Sequence, residues 1–466
     1  MPPQADDWQA DLPQEVIDEI AHIKAEFDEH GEGIRIGVAR RGDTVDYLYA
    51  EDQILVRDEF LERVLEIVEP DTVFREVRDD GDRVQRIIAG VVRLRLRPEH
   101  RSVPDLLDDV DRQLGAGAAT PDHLLTVAGG HGGVCPATEP RPVDFGTEPY
   151  PSVCPSGGEG VLIYMDDTGL LRDLGDKLWR ETHPWLAHGV GVEDPAADFD
   201  PRGGPLLGNP PSIPVYTGHG TFVAGVARCM APAAEIVVTN VFKIAGSELE
   251  SNWVLRLVAA LGRHVDIYHL TIAAHSRRDL PLAAFGEWLR YVREHTSAVC
   301  VAAAGNDGSP RRAWPAAMPG VISVGALGSD WRGRALFSNY GSWVDVYAPG
   351  RDLINAYATG TYECQWFPYG GPHGQNPPET RVFYGMAKWS GTSFSTPIVT
   401  GLIAARMSRT GHSAQHAAAA LLAEAREHAI PGVGPVLLPC CDSGPERPAR
   451  CGGCGGCGCC TQHHRC

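Results

Sequence analysis

Hydrophobic and polar positions along the chain change their period once, near residue 160. Before that point, short stretches alternate between the two-residue period of strands and the 3.6-residue period of helices. Residues 14–29 read as a helix, largely within an acidic N-terminal segment, 1–33. Within 34–130, residues 52–57 read as a strand, 59–68 as an amphipathic helix, and 74–77 and 85–96 as strands. A second helix over 103–114 and a last strand over 123–127 complete the set. Strand-helix-strand-strand-helix-strand is the order of a ferredoxin-like α+β domain. Proteins of many functions share that order, so it assigns none.

Residues 131–158 hold Pro136, Pro140, Pro142, Pro149, Pro151 and Pro155 among many glycines, a composition that breaks regular structure and predicts a linker. From 159 to 430 the pattern is different. Nearly continuous apolar runs at 161–165, 235–241, 265–272, 298–304 and 321–326 alternate with helical patterns at 219–230, 252–264 and 282–296, and a further helix covers 414–428. Strands apolar on both faces, separated by helices, predict a doubly wound, mostly parallel α/β sheet. In such sheets, sites form beyond the carboxyl ends of the strands. Residues 431–466 form a Cys/Gly-rich tail.

With 466 residues and 43% hydrophobic content, the chain can bury a large core. Its formal charge of -19, from 60 acidic and 41 basic residues, argues against nucleic-acid partners and against anionic membrane surfaces. The first residues are acidic and lack the pattern of a secretory signal, and no apolar run is long enough to span a bilayer, so a cytoplasmic protein is expected. Five cysteines are scattered through the first 400 residues and eight crowd the last 27, which is not the layout of an evenly stapled secreted scaffold.

Four stretches carry candidate chemistry. The first apolar run ends in Asp166-Asp167-Thr168-Gly169, a carboxylate at a strand's end before a tight turn. Such a carboxylate orients an imidazole, or else caps a turn; the DTG spacing favours Asp167 over Asp166. Next, His219 stands between glycines at the head of a small-residue helix, where other groups can approach both sides of its ring. Asn306, in Ala302-Ala303-Ala304-Gly305-Asn306-Asp307-Gly308, is a turn former or an amide donor. Last, Trp389-Ser390-Gly391-Thr392-Ser393-Phe394-Ser395-Thr396-Pro397 sets Ser393 between small residues, ahead of an apolar helical stripe of Ile398, Val399, Leu402 and Ile403. Gly401 permits close packing there, and Pro397 is expected in a first turn, where amides need no helical partner. A serine near that positive helix end reads as a cap or as a nucleophile whose oxyanion the helix favours.

Taken in order, DDTG, GHGTFVAG, AAAGNDG and SGTSFSTP resemble the four signature stretches of the subtilases, the subtilisin-like serine peptidases (S8 type). The resemblance covers roughly residues 158–410. It implies a subtilisin-like fold and a serine endopeptidase in which Asp167, His219 and Ser393 form the triad and Asn306 lines the oxyanion hole. The chain order Asp, His, Ser is that of subtilisin among unrelated serine-peptidase folds. By the same resemblance, Leu270, Thr271, Ile272 and Ala273, with Ala303, Ala304 and Gly305, bind substrate, and no cofactor is required for the chemistry. Structural calcium is common in the family and stays open. The N-terminal domain then reads as a propeptide that chaperones and inhibits, or as a permanent partner domain. Protein or peptide substrates follow, one partner protein among them if specificity is narrow. A non-catalytic binding protein on the same scaffold is the alternative from another class.

Two departures from the family pattern stand out, Phe394 and Ser395 after the nucleophile and His269-Leu270-Thr271 in the substrate strand; neither is expected to touch the triad. A long segment over 362–388 is expected as an exposed hairpin or loop at the cleft rim. In the tail, Cys451, Cys454, Cys457 and Cys460 recur at short spacing near His463 and His464. Zinc, disulfides, thiol modification and plain disorder all remain open readings there.

Overall fold

The structure, a computed structural model, describes residues 8–31, 33–68, 84–96, 101–127, 137–200, 212–364 and 379–439. Helix α1 (Gln14–His30) comes first, with Val16, Ile20, Ile23 and Phe27 at helical spacing and all buried. Then follow β1 (Ile36–Arg41), β2 (Thr44–Arg57), α2 (Leu61–Val68), β3 (Val84–Ile88), β4 (Val91–Arg95), α3 (Val103–Leu114) and β5 (Ala119–Val127). Their antiparallel sheet runs β5-β2-β4-β3, with β1 paired to β2. The expected single strand over 85–96 is a hairpin instead, because the chain turns at Ala89 and Gly90, where φ is +100°. The expected strand over 74–77 lies outside the described residues.

Strand β2 gives this sheet two apolar faces, with the alternation changing parity at a register irregularity between Tyr49 and Ile54. Ile54 and Val56 pack with Val64, Leu106, Leu107 and Val110 of α2 and α3, while Leu48, Ala50 and Leu55 face the larger part of the molecule.

That larger part contains β6 (Arg141–Pro142), β7 (Leu162–Asp167), β8 (Leu170–Leu171), α4 (Lys177–Thr182), β9 (Val190–Val192), β10 (Phe199–Asp200) and β11 (Ser212–Ile213). It continues with α5 (His219–Met230), β12 (Glu235–Asn240), β13 (Ser247–Leu249), α6 (Glu250–Ala260), β14 (Ile267–Leu270), β15 (Ile272–Ala273) and α7 (Ala283–His295). Last come β16 (Val299–Ala303), β17 (Val321–Leu327), β18 (Val346–Pro349), β19 (Leu353–Glu363), β20 (Thr380–Trp389), α8 (Thr392–Thr410) and α9 (Ala414–Glu427). Seven parallel strands run in the order β18-β17-β16-β14-β7-β12-β9.

Each central strand is apolar on both sides, and the two sides feed different cores. Ile163, Met165, Ile236, Val238 and Val301 face α5 and α8; Tyr164, Val237, Tyr268, Leu270 and Ala302 face α6 and α7. Helices α5 and α8 touch closely at Gly401, where a Cβ would lie 2.5 Å from Met230 Cβ and 2.8 Å from the Ala227 carbonyl. The described ends of the expected rim insertion, 362–364 and 379–388, belong to a hairpin whose base is in the core. The hairpin begins at Leu353, nine residues earlier than the sequence suggests, and buries Tyr362, Phe383, Met386 and Trp389; residues 365–378 lie outside the described residues. Its apolar alternation, not its prolines, decides its place. Against it lies the described part of the Pro/Gly-rich stretch: β6 pairs with β20, and Trp389 Nε1 donates to the Thr138 carbonyl at 2.6 Å.

The two sheets meet through β5. One edge of β5 pairs antiparallel with β13 (Thr126↔Ser247, Leu124↔Leu249), and the opposite edge, beyond the end of its pairing with β2, pairs antiparallel with β15 (Val127↔Ile272, Thr126↔Ala273). Polar contacts close the seam beside it. Arg277 reaches Asp111 at 2.5 Å as well as Asp108, Arg311 reaches Asp46 at 2.6 Å, and Asp122 accepts from both the backbone and the hydroxyl of Ser251. Arg277→Ala in the full-length chain should cost roughly 3 kcal/mol, the low end for breaking a buried ion pair, because Arg278 stays near Asp111. Urea denaturation measures it; a loss below about 1 kcal/mol would mean the pair behaves as a surface one.

Candidate functional site

Asp167 is the last residue of β7, and alternation along the strand sends Asp166 and Asp167 to opposite sides. Asp167 Oδ1 lies 2.7 Å from His219 Nδ1 and accepts the Thr168 amide at 2.7 Å, while Oδ2 accepts the Thr271 hydroxyl at 2.5 Å. Burial alone would raise this carboxyl. The neighbouring His219 charge and the hydrogen bonds from His219, Thr271 and Thr168 win, and hold it below the usual carboxylate range. Asp166 instead accepts from Thr239 Oγ1 and Trp253 Nε1, and burial pushes its pKa up to about 6 against those bonds. Of the two candidates, Asp167 is the one that meets a histidine.

His219 opens α5 and is fully buried. Gly220 beside it is required by close approach, since a Cβ there would sit 2.4 Å from the Gly169 carbonyl and 3.0 Å from Asp167 Oδ1. The ring packs between Phe394 and Trp389, with centroids 5.3 and 5.7 Å away. Phe394 in turn packs on Phe222 at 4.5 Å. This corrects the expectation that the departures at 394 and 269–271 stay clear of the site. Phe394 walls His219, and Thr271 bonds Asp167 directly.

Ser393 sits in the first turn of α8, which starts at Thr392. Pro397 is therefore the sixth helical residue, beyond the first turn where it was expected. Its ring nitrogen cannot donate to the Ser393 carbonyl four residues back, so that carbonyl goes without its helical bond. Asn306 is held beside the serine: its Oδ1 accepts from Thr392 N at 2.8 Å and Thr392 Oγ1 at 3.0 Å, and the same hydroxyl accepts from Gly305 N at 3.1 Å. With Oδ1 anchored, the amide nitrogen is turned away from Thr392. Ser393 Oγ and His219 Nε2 are both buried, and neither has a hydrogen-bond partner among the described residues. The structure thus joins Asp167 to His219 and Asn306 to the neighbour of Ser393, without a bond between Ser393 and His219. Such bonds are commonly long before substrate arrives.

The candidate substrate residues divide. Ile272 and Ala273 offer their strand edge to β5, whereas Leu270 is inside the central sheet, paired across from Asp166 and Ala302. Ala303 ends β16, the Ala304 carbonyl accepts from Asn339 Nδ2 at 2.9 Å, and Gly305 is tied to Thr392. Two roles were not anticipated: Thr271, expected to bind substrate, instead bonds Asp167, and Glu19 was given no role. Thr271 had a signal, a hydroxyl at the end of a buried run. Glu19 also had one, an acid inside the apolar stripe of α1; it is buried, and burial together with the Asp307 charge pushes its pKa up to about 8. Among the described residues no group of three or more His, Cys, Asp or Glu is arranged to hold a metal ion, and the tail cysteines lie outside those residues.

Residues 158–434 match the subtilase family. A thermophilic serine proteinase of Bacillus sp. (strain AK1) is 30% identical over 260 residues, covering 53% of this chain and 52% of its own length. M-protease of Shouchella clausii (strain KSM-K16) is 27% identical over 257 residues, covering 53% and 54%. The chain thus spans about half the length of these relatives. Fervidolysin from Fervidobacterium pennivorans, a keratinolytic enzyme related to subtilisin, shares the fold: TM-score 0.51 at 17% identity, covering 86% of this chain and 61% of that one.

Glu19 gives a pH dependence with a definite sign. Its pKa is about 8 when folded against an ordinary 4.5, so its contribution is fully present below about pH 4.5 and lost as pH rises through 8. Thermal melts should show the wild-type chain losing more stability between pH 5 and pH 8 than Glu19→Gln, which cannot ionise. Equal losses would remove Glu19 as the cause.

Proposed function

This chain belongs to the subtilase family, and from that premise we propose that it is a serine endopeptidase in which Asp167, His219 and Ser393 form the triad. One observation carries the assignment: a buried His219–Asp167 hydrogen bond of 2.7 Å, with Ser393 in the first turn of the helix whose Phe394 packs on that same ring. Asp167 fixes the tautomer with Nδ1 protonated and stabilises the imidazolium that forms. Nε2 is then the base that takes the Ser393 proton as Oγ attacks the scissile carbonyl. The developing oxyanion is held by the Asn306 amide and backbone N–H groups near the start of α8, where the helix end favours negative charge. His219 gives its proton to the leaving amine, and water repeats the cycle on the acyl-enzyme. Protein or peptide substrates follow from the family, and the chemistry requires no cofactor.

The N-terminal unit we read as a ferredoxin-like domain acting as a propeptide. Two features support this: the strand order β5-β2-β4-β3, and the seating of β5 as an extended chain along β13 and β15, where a substrate backbone would pair. Those edges run close to the residues that serve Asp167, since β15 directly follows Thr271.

A fluorophosphonate probe should label the wild-type protein and leave Ser393→Ala unlabelled; no labelling of processed wild type would sink the peptidase assignment. Asn306→Ala should lower kcat by about 10²- to 10³-fold, the effect that loss of the corresponding donor has in subtilisin. Strand β5 lies along β13 and β15 and the segment around β6 is bound to the hairpin, so N-terminal sequencing of active protein should find a new N-terminus between these two, within 128–137. Ser393→Ala should stay full length. An active enzyme that retains residues 8–127 covalently would defeat the propeptide reading.

A further inference from the structure

Outside the residues given roles above, the most unusual group near the site is a second buried histidine. His269 lies on β14, paired across from Met165 of β7 and Val301 of β16, and is completely buried. Its Nδ1 is 2.8 Å from Thr400 Oγ1 on α8. Among the described residues this is the one side-chain hydrogen bond between β14 and α8. Its Nε2 is buried with no partner.

Two periodicities make that bond more than packing. Thr400 follows Ser393 by seven residues, two helical turns, so both project from the same face of α8. Thr271 follows His269 by two residues, so both face the same side of the sheet, the side toward α5 and α8. Three consecutive residues, 269–271, therefore hold both halves of the site: Thr271 grips Asp167, and His269 grips the Ser393 face of the nucleophile helix.

A leucine or methionine would fill the same space without burying an orphaned nitrogen, whose cost exceeds the net gain of one hydrogen bond. On stability alone the histidine is a poor choice, which is where a functional constraint is expected. Nor does it act as a second titrating base. Burial, partly opposed by the Asp167 charge, pushes its pKa down to about 3, so the ring stays neutral while His219 changes charge.

Resting on the serine-peptidase reading, we propose that His269 is a positioning residue that ties the Asp167-supporting strand to the Ser393-bearing helix and so sets the approach of Ser393 Oγ to His219 Nε2. It touches no reacting atom. Its effect belongs to kcat, because the edge residues Ile272 and Ala273 that pair with an extended chain are not part of the link.

The test measures the rate of fluorophosphonate labelling of Ser393, together with kcat, KM and their pH profiles, for wild type, His269→Leu, His269→Asn, Thr400→Val and the double variant His269→Leu/Thr400→Val. His269→Leu should slow labelling and kcat by about 10- to 100-fold, the scale of a misplacement near 1 Å, with KM changed by less than about twofold. His269→Asn carries a polar atom on the same Cγ and should recover most of the loss. Thr400→Val, nearly isosteric and able to fold independently of any change at 269, should reproduce the loss, and the double variant should be no worse than either single one. All pH midpoints should stay where they are. Wild type that labels, with His269→Leu or Thr400→Val labelling at the same rate, overturns this inference alone. Wild type that does not label overturns the peptidase reading, and this inference with it.

Discussion

A carboxylate with no access to water is the constraint on which the site depends. Asp167 is completely buried, and an ionised group there survives only if donors replace the solvent it has lost. Three do so, and each comes from a different place: Thr168 from the turn after β7, His219 from the head of α5, and Thr271 from the break between β14 and β15. Burying one charge therefore fixes the mutual position of three elements. The rest of the larger unit is built to hold them, with α5 and α8 packed over one face of the parallel sheet and α6 and α7 over the other.

What was legible in the sequence was whatever has a short range. Helix α5 spans the residues its apolar pattern predicts, and the parallel strands follow from runs that are apolar on both faces. Asp167 could be favoured over Asp166 because strand alternation and a DTG turn are local facts. Relations between distant segments were not legible. Nothing near residue 271 says that its hydroxyl will meet residue 167, and nothing near 394 says that a phenylalanine will wall a histidine 175 positions earlier. Pro397 misled for a related reason. Proline usually marks a helix start, but here Asn306 anchors Thr392 and the helix begins five residues sooner. The hairpin of β19 and β20 was hidden by its composition, since prolines and glycines suggested a surface loop while every second residue near its base was destined for the core.

The seam between the N-terminal unit and the rest has a divided character. Its centre is apolar, one continuous core running from Leu48 and Leu55 of β2 to Trp253 and Trp288 of α6 and α7. Its margin is ionic, with Arg277, Arg278 and Arg311 of the larger unit answering Asp46, Asp108 and Asp111. Hydrophobic burial supplies strength without direction, and the charge pairs at the rim fix the register in which β5 lies along β13 and β15.

That register also has a kinetic meaning. A strand joined to its own partner by a few residues competes for an edge at an effective concentration on the order of millimolar, whatever the dilution of the protein. Any other extended chain that is to pair with Ile272 and Ala273 must outcompete it while the tether is whole. Were the tether cut, the same contacts would become a bimolecular equilibrium, and pairing of β5 with Ile272 and Ala273 would depend on how concentrated the protein is.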